Sequence, residues 1–268
     1  MSTKIPFYQV DAFTAVPFQG NPAATCLLQQ ALPEKMMQQI ALENNLPETA
    51  FLLPAGDGSY HLRWFTPTTE IKLCGHGTLA TAHILWEKGL LGGKETARFH
   101  TLSGLLTVQK KEDWLQLNFP AFALHEQELP AGMAAALGIT PLASYCAEDG
   151  RWVVELDSEA ALRSLKPDFT ELKKFPSVVV TAKTGKDSSY DFVSRSFAPA
   201  HGIDEDPVTG SSHCALVPYW RSRLNKSSFS AFQASARGGE LKLKLDGSRV
   251  LIEGKAVTVL EGFFTIPE

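Results

Sequence analysis

Short apolar runs, strictly alternating segments and helical stretches succeed one another along this chain. Apolar runs bounded by proline, glycine or polar residues predict strands over residues 23–28, 49–53, 60–65, 152–156, 177–181 and 190–197. Alternating segments predict two hairpins. Residues 104–108 lead into 114–117 through the charged turn 110–113, and 239–243 lead into 250–252 through Asp246-Gly247-Ser248. Lys242 and Lys244, interleaved with Leu241, Leu243 and Leu245, form the solvent face of such a strand. Helices are expected over residues 33–44, with Pro33 in the first turn, and 158–165, with Asp157 or Ser158 as N-cap. Residues 78–88 read as a buried helix, because apolar side chains cover most of it, closed by Gly89 as a left-handed cap. Another helix begins at His213 and is expected to stop near Pro218.

The order of these elements repeats. Arg63-Trp64-Phe65-Thr66-Pro67 returns as Arg195-Ser196-Phe197-Ala198-Pro199 at an offset of 132, and the hairpin starting at Gly104 returns from Gly239 at an offset of 135. Upstream, strand 23–28 matches 152–156, helix 33–44 matches 158–165, and strand 49–53 matches 177–181. One unit used twice is the reading, with domains over residues 1–119 and 120–268 and a last strand able to cross back to the first domain. Two similar domains predict a cleft between them, a common place for a ligand.

Composition narrows the function classes. Of 268 residues, 44% are hydrophobic and 20% charged, as in a globular protein with room for a substantial core. Lys and Arg number 25 against 29 Asp and Glu, for a net charge of −4, which withholds the electrostatic footprint of a nucleic-acid binder. Four scattered cysteines with no C-x-x-C pair read as reduced thiols, not a disulfide framework. No run reaches the roughly 18 apolar residues of a membrane span, and the N-terminus lacks a signal-peptide core. A cytoplasmic protein without membrane or nucleic-acid partners is expected, and a homodimer is left open.

Each half carries one glycine-rich turn that opens a helix. Register places Cys74-Gly75-His76 opposite Thr209-Gly210-Ser211, an offset of 135. A helix N-terminus leaves N–H groups unsatisfied and carries partial positive charge, and glycine lets a ligand approach the backbone. Two such termini facing one another would grip a small anion, most simply a carboxylate, and would stabilise negative charge developing beside it. A thiol at such a terminus ionises more readily than a free cysteine, so Cys74 is a candidate base.

These residues resemble the PhzF (phenazine-biosynthesis-like) isomerases, relatives of diaminopimelate epimerase and proline racemase. The resemblance runs nearly the whole length. It rests on Val10-Asp11-Ala12-Phe13-Thr14 with Phe18-Gln19-Gly20-Asn21-Pro22-Ala23, on Asn45-Leu46-Pro47-Glu48-Thr49-Ala50-Phe51, on residues 63–67 with Cys74-Gly75-His76-Gly77-Thr78, and on Glu205-Asp206-Pro207-Val208-Thr209-Gly210-Ser211. It implies an α/β (α+β) diaminopimelate epimerase-like fold of two pseudo-symmetric barrel-like domains, each wrapped around a central helix. It also implies a cofactor-independent isomerase, without metal or nucleotide, acting on a small cyclic or unsaturated carboxylic or amino acid. Glu48 matches the family's catalytic glutamate, which takes a proton from one carbon and returns it to another. His76 and Asp206 match polar groups that orient substrate or share in proton transfer. Asn21, Cys74, Gly75, Gly77, Thr209, Gly210 and Ser211 fall among the substrate-binding positions.

The chain departs from its wider superfamily in one telling place. Two-thiol epimerases carry a cysteine in each half, whereas here Thr209 stands opposite Cys74. That argues against a two-thiol racemase and leaves a one-thiol epimerase or dehydratase using Cys74 as an alternative. Gly77 resembles the proline racemase pattern more than the usual PhzF one, and the resemblance does not place Ser212-His213-Cys214. A non-catalytic carboxylate-binding protein is the alternative from another class. Gly75-His76-Gly77-Thr78-Leu79-Ala80 fits G-x-G-x-x-A, but Pro67-Thr68-Thr69 and a following hairpin deny it the βαβ setting of a dinucleotide site. Residues 209–212 lack a P-loop lysine, and Cys74, His76, His213 and Cys214 lack the spacings of structural zinc motifs.

Overall fold

The structure is a computed structural model that describes residues 2–267. Its strands and helices run in the order β1 (Ser2–Ala12), β2 (Asn21–Leu27), α1 (Glu34–Asn44), β3 (Glu48–Pro54), β4 (Tyr60–Phe65), β5 (Glu70–Ile71), α2 (Gly75–Glu87), β6 (Thr96–Thr101), β7 (Gly104–Lys111) and β8 (Trp114–Pro120). There follow β9 (Leu124–Glu126), α3 (Met133–Leu137), β10 (Ala143–Ala147), β11 (Trp152–Leu156), α4 (Glu159–Arg163), α5 (Phe169–Leu172), β12 (Val178–Lys183) and β13 (Phe192–Ala198). The chain closes with β14 (Ile203–Asp206), α6 (His213–Leu224), β15 (Ser228–Gln233), β16 (Gly239–Asp246), β17 (Arg249–Gly254) and β18 (Ala256–Pro267). Two compact units emerge, one made of Met1–Asn118 with Glu253–Glu268, the other of Phe119–Ile252.

Each unit has the same strand pairing. In the first, β1 is antiparallel to β18 and β2, β2 is parallel to β3, and β3 is antiparallel to β4. Strand β4 is then antiparallel to β5 and parallel to β6, and β6 is antiparallel to β7. In the second, β10 is antiparallel to β9 and β11, β11 is parallel to β12, and β12 is antiparallel to β13. Strand β13 is antiparallel to β14 and parallel to β15, which is antiparallel to β16. The repeat in the sequence is therefore a repeat of topology.

Strand alternation explains why β2 is buried along nearly all its length. Ala24 and Cys26 join Met37, Ile40 and Ala41 of α1 in one core cluster, while Ala23 joins Ala80 and Ile84 of α2 in another. Thr25 lies on the α2 side too, its hydroxyl 3.2 Å from that of Thr81. Helices thus cover both faces, and a fully buried strand reads as an unbroken apolar run. In the second unit α3, α4 and α5 contribute Met133, Leu137, Leu162 and Leu172 to a core with Val154, Val178 and Val180. Helix α6 supplies Trp220, stacked on Phe192 with centroids 5.4 Å apart and donating from Nε1 to Thr181 at 3.0 Å.

The repeated arginine motif is a structural bracket. Arg63 forks onto Glu70 with two 2.6 Å hydrogen bonds and lies 5.2 Å from the Phe65 ring centroid. Arg195 forks onto Glu205 with two 2.7 Å bonds and lies 5.1 Å from Phe197. Each also reaches a flanking helix: Arg63 donates to Glu34 at the start of α1, and Arg195 to the carbonyls of Leu162 and Leu165 at the end of α4. The planar fork fits a carboxylate in two places at once, which fixes the orientation of both strands.

Two helix boundaries differ most from the sequence expectation, while α4 ends two residues early, at Arg163. Helix α2 starts at Gly75, three residues before the expected Thr78, because the glycine-rich turn is itself the first helical turn. At its far end Gly89 is left-handed (φ 68°), Leu90 N–H donates to Leu85 O and Gly89 N–H to Trp86 O, the closing pattern expected of it. Helix α6 does not stop at Pro218 but runs to Leu224. Proline removes the N–H that would bond to Cys214 O, and that carbonyl instead accepts from Phe122 N–H at 2.9 Å. Among the described residues no helix is long and apolar enough to cross a membrane.

Candidate active site

Neighbouring parallel strands deliver the first polar group. Ala23 of β2 pairs with Glu48 of β3, so both side chains share the face that packs on α2. Asn21, two residues before Ala23, points to the same side. Asn45 ends α1 in a left-handed conformation (φ 51°) and turns the chain so that Glu48 enters β3 at its first residue. Gly20, at φ 66°, sits where a Cβ would lie 2.2 Å from Ala12 O, so only glycine makes this approach to Asn21.

The first turn of α2 meets these side chains. His76 Nε2 lies 2.7 Å from Glu48 Oε2, and His76 Nδ1 is 3.2 Å from Asn21 Nδ2. Cys74 caps the helix: its Sγ accepts from Gly77 N–H at 3.3 Å and lies 3.7 Å from His76 Nδ1. Glu48, Cys74, His76 and Asn21 are all buried. A Cβ on Gly77 would lie 2.9 Å from Cys74 Sγ and 3.0 Å from Trp64 Cδ1, so this glycine makes room for the thiol and the indole. Gly77 N–H is taken by Sγ and Thr78 N–H by Cys74 O, which leaves the N–H groups of Gly75 and His76 outside the helix's own bonds.

Electrostatics correct one expectation. Burial, reinforced by the charge of Glu48, raises the Cys74 thiol above its ordinary value, and His76 only partly opposes this. The helix N-terminus does not make Cys74 a ready thiolate. For His76, burial alone would lower the pKa, but Cys74 and Glu48, through charge and hydrogen bonding, hold it well above the ordinary imidazole value. The charged form of the imidazole is thus favoured beside Glu48.

The second unit gathers the other expected residues around the turn from Asp206 to Ser212. Thr209 Oγ1 donates to Asp206 Oδ2 at 2.5 Å, fixing that carboxylate. Two residues that the sequence did not single out hold the turn. Gln233, fully buried, accepts from Thr209 N–H at 2.8 Å and donates to Asp206 O at 2.7 Å, so its amide stands where a tight turn would close directly. Arg151 donates to Ser212 Oγ at 2.7 Å and Ser211 Oγ at 3.2 Å. No spacing signal could have marked either, since both reach the turn from distant strands or loops. His213, unplaced by the sequence, donates from Nδ1 to Thr209 O at 2.9 Å, and burial lowers its pKa to about 4. Ser212 N–H bonds to Thr209 O, leaving the N–H groups of Gly210 and Ser211 outside the turn's own bonds. Glu48, His76, Cys74, Asn21, Gly75 and Gly77 are thus brought together in the first unit, and Asp206, Thr209, Gly210 and Ser211 in the second.

Comparison with known proteins identifies the family. An uncharacterized isomerase of Halalkalibacterium halodurans is 49% identical over 95% of this chain and 96% of its own length. A crystal structure of a phenazine biosynthesis protein of the PhzF family from Enterococcus faecalis superposes with a TM-score of 0.92 at 43% identity, covering 98% of this chain and 99% of that one. A probable proline racemase from Agrobacterium radiobacter, crystallised with carbonate, shares the fold at a TM-score of 0.64 and 13% identity over 96% of this chain and 92% of that one. The family profile for phenazine biosynthesis-like proteins (PhzC-PhzF) matches residues 10–262. The chain belongs to that family, and it is an isomerase.

Proposed function

We propose that the protein isomerises a small cyclic or unsaturated carboxylic or amino acid by moving a proton, with Glu48 as the acid/base. The contact that carries this reading is the buried 2.7 Å pair of Glu48 and His76. A carboxylate held against an imidazole can give up or accept a proton on its other side while its partner keeps the local charge compensated. Asn21, at the second imidazole nitrogen, fixes the ring plane. Cys74 serves as helix cap and packing group, with its sulfur accepting from Gly77 N–H. The N–H groups of Gly75 and His76 suit the substrate carboxylate, and Asp206, Thr209, Gly210 and Ser211 take the orienting role that the family resemblance gives them.

The test is solvent deuterium incorporation into a panel of amino acids and cyclic or unsaturated carboxylic acids, read by mass spectrometry. Wild type should label at least one candidate, and Glu48→Gln should abolish labelling while still binding that compound. Labelling that survives Glu48→Gln but is lost in Cys74→Ala would move the proton to the thiol and overturn the assignment. Binding without any labelling by wild type would favour a carboxylate-binding protein.

A further inference from the structure

We propose that Arg151 is a positioning residue for the reaction: it fixes the Ser211 hydroxyl as a hydrogen-bond donor to an oxygen of the substrate carboxylate. This role rests on the carboxylate reading above and falls on a residue outside the motifs that carry the family resemblance. Arg151 stands directly before β11, the strand whose counterpart in the first unit is β2. Each of its three side-chain nitrogens has a partner. Nε donates to Asp149 Oδ2 at 2.7 Å, Nη1 to Ser212 Oγ at 2.7 Å and Nη2 to Ser211 Oγ at 3.2 Å. Its Cζ lies 6.0 Å from the centroid of the Phe122 ring. Held at three points, the planar fork has little freedom left.

Arginine has five N–H donors, no acceptor, and keeps its proton. Ser211 Oγ therefore accepts from it, and the hydroxyl hydrogen must go elsewhere. Ser212 Oγ is in the same state, but it is fully buried and shares a 3.3 Å hydrogen bond with Ser196 Oγ. Ser211 is only half-buried, and among the described residues its Oγ makes no hydrogen bond besides that with Arg151. With the N–H groups of Gly210 and Ser211, two consecutive residues then offer three donors, which suits a carboxylate. Asp149 balances the charge of Arg151 at 2.7 Å, so the arginine acts through the direction it gives the hydroxyl and not as a free cation. The duplication supports this independently. Register equates Ser211 with His76, at an offset of 135. His76 Nδ1 lies 3.2 Å from Asn21, the first residue of β2, and Ser211 is held by the residue just before β11. The same place in the fold supplies the holding group in both units, and only its chemistry differs.

A double-mutant cycle tests the coupling. It is read by deuterium exchange on a compound that wild type labels, and by calorimetry on the panel carboxylic acids beside their primary amides. Ser211→Ala and Arg151→Met should each lower kcat/KM for exchange about 10- to 100-fold, and each should erase the preference for acid over amide. Joined in one protein they should do no more than Ser211→Ala alone, because Arg151 acts through that hydroxyl. Ser211→Thr keeps the hydroxyl and should stay within about threefold of wild type. Millimolar guanidinium chloride should restore exchange to Arg151→Ala and leave Ser211→Ala unchanged. Circular dichroism checks the fold, and Arg151→Lys, which keeps the charge but cannot fork onto both serines, takes the place of Arg151→Met in the cycle if the latter unfolds. Exchange and acid preference that survive the loss of Arg151, or losses that multiply in the double variant, overturn its role and leave the carboxylate reading standing. A wild type that prefers no acid over its amide overturns the carboxylate reading, and this role with it.

Discussion

His213 gives the sharpest test of how the second unit is held together. Its side chain is fully buried, donates once to Thr209 O and stacks on Phe192 with centroids 6.2 Å apart; its Nε2 has no hydrogen-bond partner among the described residues. Burial lowers its pKa from 6.5 to about 4, with the Thr209 carbonyl opposing and Arg151 adding to the effect. Between those values the unfolded chain binds a proton that the folded chain refuses, so acid favours unfolding. The stabilisation is complete above pH 6.5 and is lost as pH falls towards 4. At 1.36 kcal/mol for each tenfold step, the ceiling is about 3 kcal/mol, of which about 2 kcal/mol disappears between pH 7 and pH 4.5. Urea titrations of wild type and His213→Asn at those two pH values isolate it, because His83 and the carboxylates titrate alike in both proteins. Asparagine keeps a donor for Thr209 O, and its lost ring packing lowers stability equally at both pH values. Wild type should lose about 2 kcal/mol more than the variant on acidification. Equal losses would show that His213 does not hold a proton-refusing position, and the reasoning would fall.

Other perturbations probe the packing and the two turns. Gly254→Ala places a Cβ 2.4 Å from Phe13 Cδ1 and 2.9 Å from Leu79 Cδ1, and should cost about 1–3 kcal/mol in a denaturant titration. Gly77→Ala pushes on Cys74 Sγ and Trp64. It should slow deuterium exchange at least about tenfold while the far-ultraviolet spectrum stays native. Gln233→Leu strands Asp206 O and Thr209 N–H, and should cost about 1–3 kcal/mol and slow exchange. Ser158→Ala removes the acceptor for Ala161 N–H at the start of α4 and should cost about 1 kcal/mol in unfolding without touching exchange.

Local chemistry was what the sequence could show. The strand over residues 60–65 and the Gly89 cap follow from proline, glycine and apolar spacing, which act over a few residues. The duplication was visible because Arg63 and Arg195 are each followed two residues on by a phenylalanine, and in the fold each guanidinium lies over that ring while it forks onto Glu70 or Glu205. What stayed hidden depended on distant partners. Pro218 looks like a terminator until Phe122 takes over the carbonyl it abandons. Cys74 looks like an activated thiol until burial and Glu48 raise its pKa, and neither is visible in the residues around it. Gln233 and Arg151 carry no motif, since an amide bridging a turn from another strand has no fixed spacing. His76 and Glu48 were named through the family resemblance, but their direct contact is a product of β3 meeting α2.

Strand β18 has a consequence for how the chain is made. It pairs with β1 along nearly its whole length, and its Ile266 joins Ile5, Phe7 and Phe51 in the core of the first unit. Residues 256–267 emerge from the ribosome after every other part of that unit, and indeed after the whole of the second. Domains usually fold in the order of their synthesis. Here the continuous second unit is complete first, and the earlier-made one waits with Ile5, Phe7 and the outer edge of β1 uncovered. During translation that edge is an unprotected template for pairing with another chain. Slow arrival of residues 256–267, or their loss by premature termination, should therefore expose the nascent protein to aggregation and to chaperone capture far more than an equal truncation within a surface loop.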